Sequence, residues 1–373
     1  MKRSTASASV FPCRKLLVGA VGAACALPAT ALAQFPGELQ IYGRANVSYE
    51  RITVDGGATS ETNWEAVDNS SRIGIRGKRD LGGGLSGFFQ VESSVRLDDG
   101  GTVDPDTGKG GNTFSSRDSY IGMQGGFGTV RVGRTIGPVY YATYDYISNH
   151  NHDTGNSSDA FIAGAVFGNV GFMNNTVWYS SPKMGAFSVD AAFSRLDETR
   201  VATGMSQPSH LGIVGAYDQG PLHVAVSHAE TKNTVVLGSG APNKDTATTI
   251  GGLYNFGGRY IVGALIESAK SDLAVGDAKR TYFRVSLMVP VAKHEFHVNV
   301  GVADDRLDVN MDNAGAKQYT FAYNYNIDKQ FKVYAFYTVV DNEDNGTYGF
   351  KQTTPATLGI ENKSFAVGAR YNF

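Results

Sequence analysis

Beyond position 25 the sequence has no cysteine: Cys13 and Cys25 are the only two in 373 residues. Both fall in an amino-terminal segment that reads as removable, so a mature chain in an oxidising compartment has no covalent staple and rests on burial and backbone pairing. Long apolar runs are missing too. Downstream of Ala33 none approaches the ~18 residues that a membrane-crossing helix needs, which excludes a helical membrane protein. Basic charge is in short supply, with 33 Lys and Arg against 35 Asp and Glu. A polyanion binder needs a basic face, so nucleic acid is excluded as a partner. Tryptophan occurs only twice, whereas Gly (46), Tyr (19) and Phe (20) are abundant.

The removable segment has the parts of a secretory signal peptide. Lys2, Arg3, Arg14 and Lys15 precede the apolar stretch from Leu16 to Leu32, and Ala31-Leu32-Ala33 supplies small residues at the cleavage spacing. A membrane-spanning helix is the competing reading, but the run ends in Gln34-Phe35-Pro36-Gly37 with no basic stop-transfer flank. Lipid attachment at Cys25 is disfavoured because Gly22-Ala23-Ala24 before it lacks the expected Leu. The expected division is a signal peptide over residues 1–33 and a barrel domain over residues 34–373. Cleavage removes four basic residues and no acid, so the mature chain carries 29 basic against 35 acidic residues, a formal charge of −6.

Closed β-barrels are the other structure that can cross a bilayer, and their strands alternate apolar-out with polar-in. From Leu39 to Tyr49, Leu39, Ile41, Gly43, Ala45, Val47 and Tyr49 form one face, and Gln40, Tyr42, Arg44, Asn46 and Ser48 the other. Phe89, Val91, Val95 and Leu97 oppose Gln90, Glu92, Ser94 and Arg96, and the same dyad closes the chain at Phe365, Val367, Ala369, Tyr371 and Phe373. One face suits lipid and the other water.

Seven short turns are expected: Asp80 to Gly84, Gly125 to Gly128, Pro182 to Gly185, Gln219 to Pro221, Phe256 to Gly258, Pro290 to Lys293 and Asn326 to Lys329. Between them lie eight longer polar segments: Asp55 to Asn69, Asp98 to Thr113, Thr135 to Phe172, Asp197 to Pro208, Lys232 to Asp245, Lys270 to Ala278, Asp305 to Ala316 and Asp341 to Asn362. Such a set of connections joins sixteen strands in an all-β, antiparallel transmembrane barrel. An even count lets the two ends meet and pair, so no edge is left open in lipid. A barrel of this size is wide enough for an aqueous channel.

Several stretches also resemble a known family across essentially the whole mature chain. They are Gln40-Ile41-Tyr42-Gly43-Arg44, Ser71-Arg72-Ile73-Gly74-Ile75-Arg76-Gly77 followed by Asp80-Leu81-Gly82-Gly83-Gly84-Leu85, Phe127-Gly128-Thr129-Val130-Arg131-Val132-Gly133-Arg134, and the terminal Tyr371-Asn372-Phe373. Together they resemble the Gram-negative trimeric general porins of beta-proteobacterial type. The resemblance implies passive diffusion of small hydrophilic solutes and ions through the outer membrane, a homotrimer with three separate pores, and a third loop folded into each lumen. It further implies that Phe373 is read by the barrel-assembly machinery. Outer-membrane lipid is then a partner; no cofactor and no enzyme activity are implied.

The residues point to the same loop, because Thr135 to Phe172 is by far the longest connection and long ordered loops in compact folds are usually functional. It is expected to form the constriction. It carries Asp145, Asp153, Asp159, His150 and His152 with many aromatics, no Lys and, beyond its first residues, no Arg. Arg44, Arg72 and Arg117 fall where the family places a basic rail opposite the acidic loop, with Arg96 as a further candidate, which implies a transverse field across a narrow gap. The plainer reading is that these arginines neutralise acidic neighbours on solvated walls. One departure matters: many relatives carry an Arg before the Asn-Asn pair after this loop, where this chain reads Met173-Asn174-Asn175. A thinner rail beside three loop aspartates leaves the sign of ion selectivity open.

Other motifs carry little. Gly82-Gly83-Gly84-Leu85-Ser86-Gly87 matches a dinucleotide-binding pattern but precedes a strand, so no helix amino terminus awaits a pyrophosphate. His294 and His297 are three apart on a strand, which sends them to opposite faces and disfavours a metal site. Asp104, Asp106 and Gly108 lack the third ligand and distal Glu of a calcium loop. A solute-selective channel, or a surface-loop binding or adhesion protein, is the alternative to passive diffusion; saturable block by one solute is the observation that separates them.

Overall fold

Along β1 (Glu38–Asp55) successive side chains point to opposite sides of the sheet. Asn46, Ser48 and Glu50 are buried, while Ile41 and Tyr49 between and before them are 45% and 57% exposed. In a soluble protein that order would be inverted; here the exposed apolar face is the lipid face. The computed structural model describes residues 37–56, 60–98, 114–145, 147, 157, 159–161, 171–196, 207–235, 242–272, 276–306, 312–350 and 358–373. The expected signal peptide, Asp153 with His150 and His152, and the Asp104–Gly108 segment lie outside the described residues.

The remaining strands follow in order: β2 (Ser60–Asp68), β3 (Arg72–Gly82), β4 (Leu85–Ser94), β5 (Ser119–Gly125), β6 (Gly128–Ile136), β7 (Phe172–Ser180), β8 (Phe187–Arg195) and β9 (Ser209–Gln219). The second half runs through β10 (Leu222–Val235), β11 (Pro242–Asn255), β12 (Ile261–Asp272), β13 (Asp277–Val291), β14 (His294–Arg306), β15 (Ala316–Asn326), β16 (Phe331–Asn342) and β17 (Glu361–Asn372). All pair antiparallel with their neighbours, and β1 also pairs with β17, which closes the sheet. β1 pairs with β2 over Val47 to Asp55 and with β3 over Glu38 to Arg44, so β2 and β3 are two halves of one stave. Sixteen staves therefore make a closed antiparallel barrel.

All seven short turns fall where the sequence places them. In the last, the Asp328 carboxylate accepts the amides of Phe331 (2.8 Å) and Gln330 (2.7 Å). These two N–H donors hold its pKa below the usual carboxylate value. The loop expectations need corrections. Asp55 to Asn69 is not a loop: β2 occupies most of it as a hairpin partner of β1. Lys232 to Asp245 and Lys270 to Ala278 are likewise shortened, since β10 runs to Val235 and β11 begins at Pro242, and β12 runs to Asp272 and β13 begins at Asp277. The physical reason is the same in each case. Hairpin arms that continue past the bilayer are wet on both faces, so Ser60-Glu61-Thr62-Asn63 shows no apolar alternation although its backbone is fully paired.

Large rings lie flat on the wall where a neighbouring strand supplies glycine. A Cβ at Gly74 would meet the Tyr42 ring at 2.5 Å, one at Gly122 the Phe88 ring at 2.4 Å, and one at Gly368 the Tyr334 ring at 2.4 Å. Each missing side chain lets an aromatic on the lumen face pack sideways along the sheet rather than project into the channel.

The apolar core of the molecule sits inside the barrel, off-centre. Val139, Tyr144, Ile147 and Phe161 of the long loop pack against Val214, Ala225, Ala229, Leu265, Tyr282 and Ala303 of the far wall. That wall is cut back by small residues where the loop seats: a Cβ at Gly251 would lie 2.4 Å from the Ile147 side chain, and one at Gly263 would lie 2.1 Å from the Ile147 carbonyl oxygen.

Candidate functional site

The loop between β6 and β7 leaves the wall at Ile136 and turns through a short π-helical segment, Tyr140–Asp145. Its descent is fixed by side chains of the barrel. Tyr141 donates to the Asp118 carboxylate at 2.6 Å, and Asp118 also accepts from the Thr135 hydroxyl at 2.6 Å. On the opposite side His223 of β10 lies between Asp218 (Nδ1 to Oδ1, 2.7 Å) and the Ala142 carbonyl (Nε2 to O, 2.9 Å). Ser286 of β13 donates to the Ile147 carbonyl at 2.6 Å.

A second anchor holds the returning part of the loop. The Asp159 carboxylate forms an ion pair with Arg284 at 2.6 Å, and both side chains are essentially inaccessible, at 2% and 0% exposure. The Tyr282 hydroxyl also donates to Asp159. Arg280 donates to the Phe161 carbonyl at 2.6 Å and is itself paired with Glu267 at 2.6 Å. Gln318 accepts the Ala160 amide at 3.0 Å. The loop thus crosses the lumen, bound chiefly to β10, β13 and β15, while Tyr141 ties its start to the β5–β7 side, where it stacks on Trp178.

The arginines singled out from sequence distribute unevenly around the lumen. Arg44 and Arg72 are half-buried on the lumen face of β1 and β3. Arg117, just before β5, is buried and paired with Glu92 at 2.7 Å. Arg96 is paired with Asp98 at 2.8 Å, so its charge is matched two residues away. Asp145 is exposed at the end of the π-helical segment. Asp159 does not face the gap; its carboxylate is turned to the wall and taken up by Arg284. Met173, at the position of the missing Arg, is 6% exposed, with its sulfur accepting from the Ser194 hydroxyl at 3.6 Å.

Sequence reasoning did not single out Arg76 and Arg131, which continue the basic face on β3 and β6. The Arg76 guanidinium carbon lies 4.8 Å from the Tyr42 ring centroid and bonds to the Gln40 amide oxygen at 2.7 and 2.9 Å. Arg131 lies 3.4 Å from the Trp178 centroid and 5.0 Å from that of Tyr120. The signal was present, since both occupy polar positions of the alternating pattern. Nothing local marked them as different from any other wall residue.

A channel of this shape can conduct, sieve and bias ions by charge. Among the described residues no group of three or more His, Cys, Asp or Glu is placed to hold a metal ion. Comparison with known proteins agrees with the geometry. The outer membrane porin protein 32 of Delftia acidovorans is 28% identical over 318 residues, 82% of this chain and 85% of that protein. The anion-selective porin from Comamonas acidovorans superposes with a TM-score of 0.73 at 24% identity, over 90% of this chain and all of that one. OmpT of Vibrio cholerae, solved in a trimer form, gives a TM-score of 0.65 at 16% identity over 90% of this chain and 99% of its own. Residues 20–345 match the family model described as Gram-negative porin. The chain belongs to that family: it is an outer-membrane β-barrel channel for passive diffusion of solutes, and not an enzyme.

Proposed function

We propose that the channel is a general diffusion pore with a preference for small anions, filtered between the inserted loop and the arginine-bearing wall. The observation that carries this reading is the unequal use of charge on the two sides of the gap. Asp159 is neutralised by Arg284 and Glu92 by Arg117. Arg44 and Arg72 stand directly opposite each other on the other wall, and among the described residues Arg76 bonds to a neutral amide and to no carboxylate. A low-dielectric wall with net positive side chains focuses its field into a narrow water-filled gap and raises the local concentration of anions. In this reading Arg44, Arg72, Arg117 and Asp145 line the path, Arg96 modulates its mouth, and Asp159 fastens the loop. The anion selectivity named for the Comamonas porin supports the sign.

Further parts of the proposal concern assembly. The trimer form of the Vibrio porin supports a homotrimer with three separate pores. Processing after Ala33 and recognition of Phe373 by the barrel-assembly machinery follow from an exported chain that must be inserted among outer-membrane lipids. The test is a planar-bilayer recording under a potassium chloride gradient. The expected result is three equal conductance steps and a zero-current potential of the sign set by chloride; a potential set by potassium would overturn the anion preference.

A further inference from the structure

Resting on the anion-preferring reading of this lumen, we propose that the β1–β7 wall carries a binding track for planar anions, aromatic carboxylates in particular. The track is a contiguous band on the lumen face. Arg76 is register-paired with Gln90, and Gln90 with Tyr120. Arg131 is register-paired with Trp178. Three inter-strand spacings separate β3 from β6, so the two guanidinium groups are roughly 15 Å apart along the hydrogen-bonding direction. Between them Tyr120 donates to the Gln90 amide oxygen at 3.3 Å, which bridges the interval with further polar groups.

The chemistry of the ligand follows from which faces are covered. The ring of Tyr42 lies on Gly74 on one side and beneath the Arg76 guanidinium on the other. Trp178 is 4% exposed beneath Arg131. On this wall the faces of Tyr42 and Trp178 are therefore not what a solute meets, which disfavours a sugar track there, where pyranose rings stack on open aromatic rings. The solute meets guanidinium planes laid flat on the wall. Such a group is held by its cation–π contact on one face and keeps in-plane N–H edges for a carboxylate. On Arg76 the second face accepts a flat π-system, a contact that lysine cannot make, whereas Arg131 is shared between the rings of Trp178 and Tyr120 and contributes mainly its charge. Neither Arg76 nor Arg131 is ion-paired to a carboxylate among the described residues, so neither must break an internal salt bridge to receive a solute. A spherical chloride uses the charge alone; a planar carboxylate uses charge, edge and face.

The test uses the full chain reconstituted in planar bilayers, with benzoate and cyclohexanecarboxylate as probes of equal charge and similar size, only the first being planar. Benzoate is expected to block the chloride current saturably at a concentration about two- to fivefold lower than cyclohexanecarboxylate, the ratio that a guanidinium–ring contact at a wet site supplies. Arg76→Lys, which retains the charge, is expected to remove that ratio, and Arg131→Lys to reduce it. Arg79→Lys, outside the band, keeps it. Equal block by the two acids, or an undiminished ratio in both lysine variants of the band, would overturn the track. The reversal potential of the unmodified channel in potassium chloride is read in the same membranes. A channel that prefers chloride yet treats both acids alike loses the track and keeps the anion reading; one that prefers potassium loses the anion reading itself.

Discussion

Arg44 and Arg72 face each other as direct register partners in the ladder between β1 and β3, both on the lumen side. Like charges directly opposite across an antiparallel pair are unfavourable by a few tenths of a kcal/mol up to ~1. On the proposed anion-preferring reading, the pair is kept for the field it adds to the channel. Replacing Arg72 by Gln is expected to shift the zero-current potential toward potassium while the melting temperature in detergent stays the same or rises slightly. A lower melting temperature with an unchanged potential would assign Arg72 to wall structure.

The pair Asp159 and Arg284 calls for the opposite outcome. Both charges are out of water, and removing one partner of a buried pair costs about 3–5 kcal/mol, less whatever the loop regains by moving away. Asp159→Asn is expected to lower thermal stability and to give a noisier open current, because the returning part of the loop loses its anchor on β13. The reversal potential should hardly move, since the carboxylate is already neutralised. A clear shift of the potential with quiet current would place Asp159 in the conduction path after all.

Gly263 tests the seat of the loop from the wall side. A methyl group there would sit 2.1 Å from the Ile147 carbonyl oxygen and 2.6 Å from the Ser286 hydroxyl, the two atoms whose hydrogen bond holds the descent. Gly263→Ala is expected to push the loop toward the lumen, reduce single-channel conductance and destabilise by roughly 1–3 kcal/mol, the usual range for overpacking. Gly126→Ala, where nothing lies within 4 Å, is the matched control. Equal conductance in the two variants would show that the loop yields at no cost to the pore.

The difference between these residues also explains what could be read in advance. Strand faces and turns are local: Ile41 and Asn46 differ in partner because they differ in parity, and the glycines of Asp80 to Gly84 sit at positive φ, a backbone state open to glycine at little cost. The dyad fails in β2, where Trp64 and Glu61 are both exposed and the pattern loses its meaning. The loop's destination is not local at all. Asp159 finds Arg284 from 125 positions away, and no spacing rule links a loop aspartate to one arginine among the many that point inward. Gly251 and Gly263 read as ordinary strand glycines; their use is legible only once Ile147 lies on them.

Phe373 allows a cellular role to be separated from a structural one. Its backbone exchanges two hydrogen bonds with Gly43, N to O at 2.9 and 3.1 Å, and its ring covers that glycine on the lipid face. The ring is 47% exposed, so truncating it forfeits only about 1 kcal/mol of burial. Phe373→Ala keeps both backbone bonds and is expected to refold from urea into detergent with nearly unchanged yield. If the terminal aromatic is a recognition signal, the same variant should reach the outer membrane of cells in a small fraction of the normal amount, because that loss does not arise from the weakened seam. Parallel losses in detergent and in cells would instead make Phe373 a closure residue, important because β1 and β17 meet there and an open seam in lipid leaves backbone groups unsatisfied.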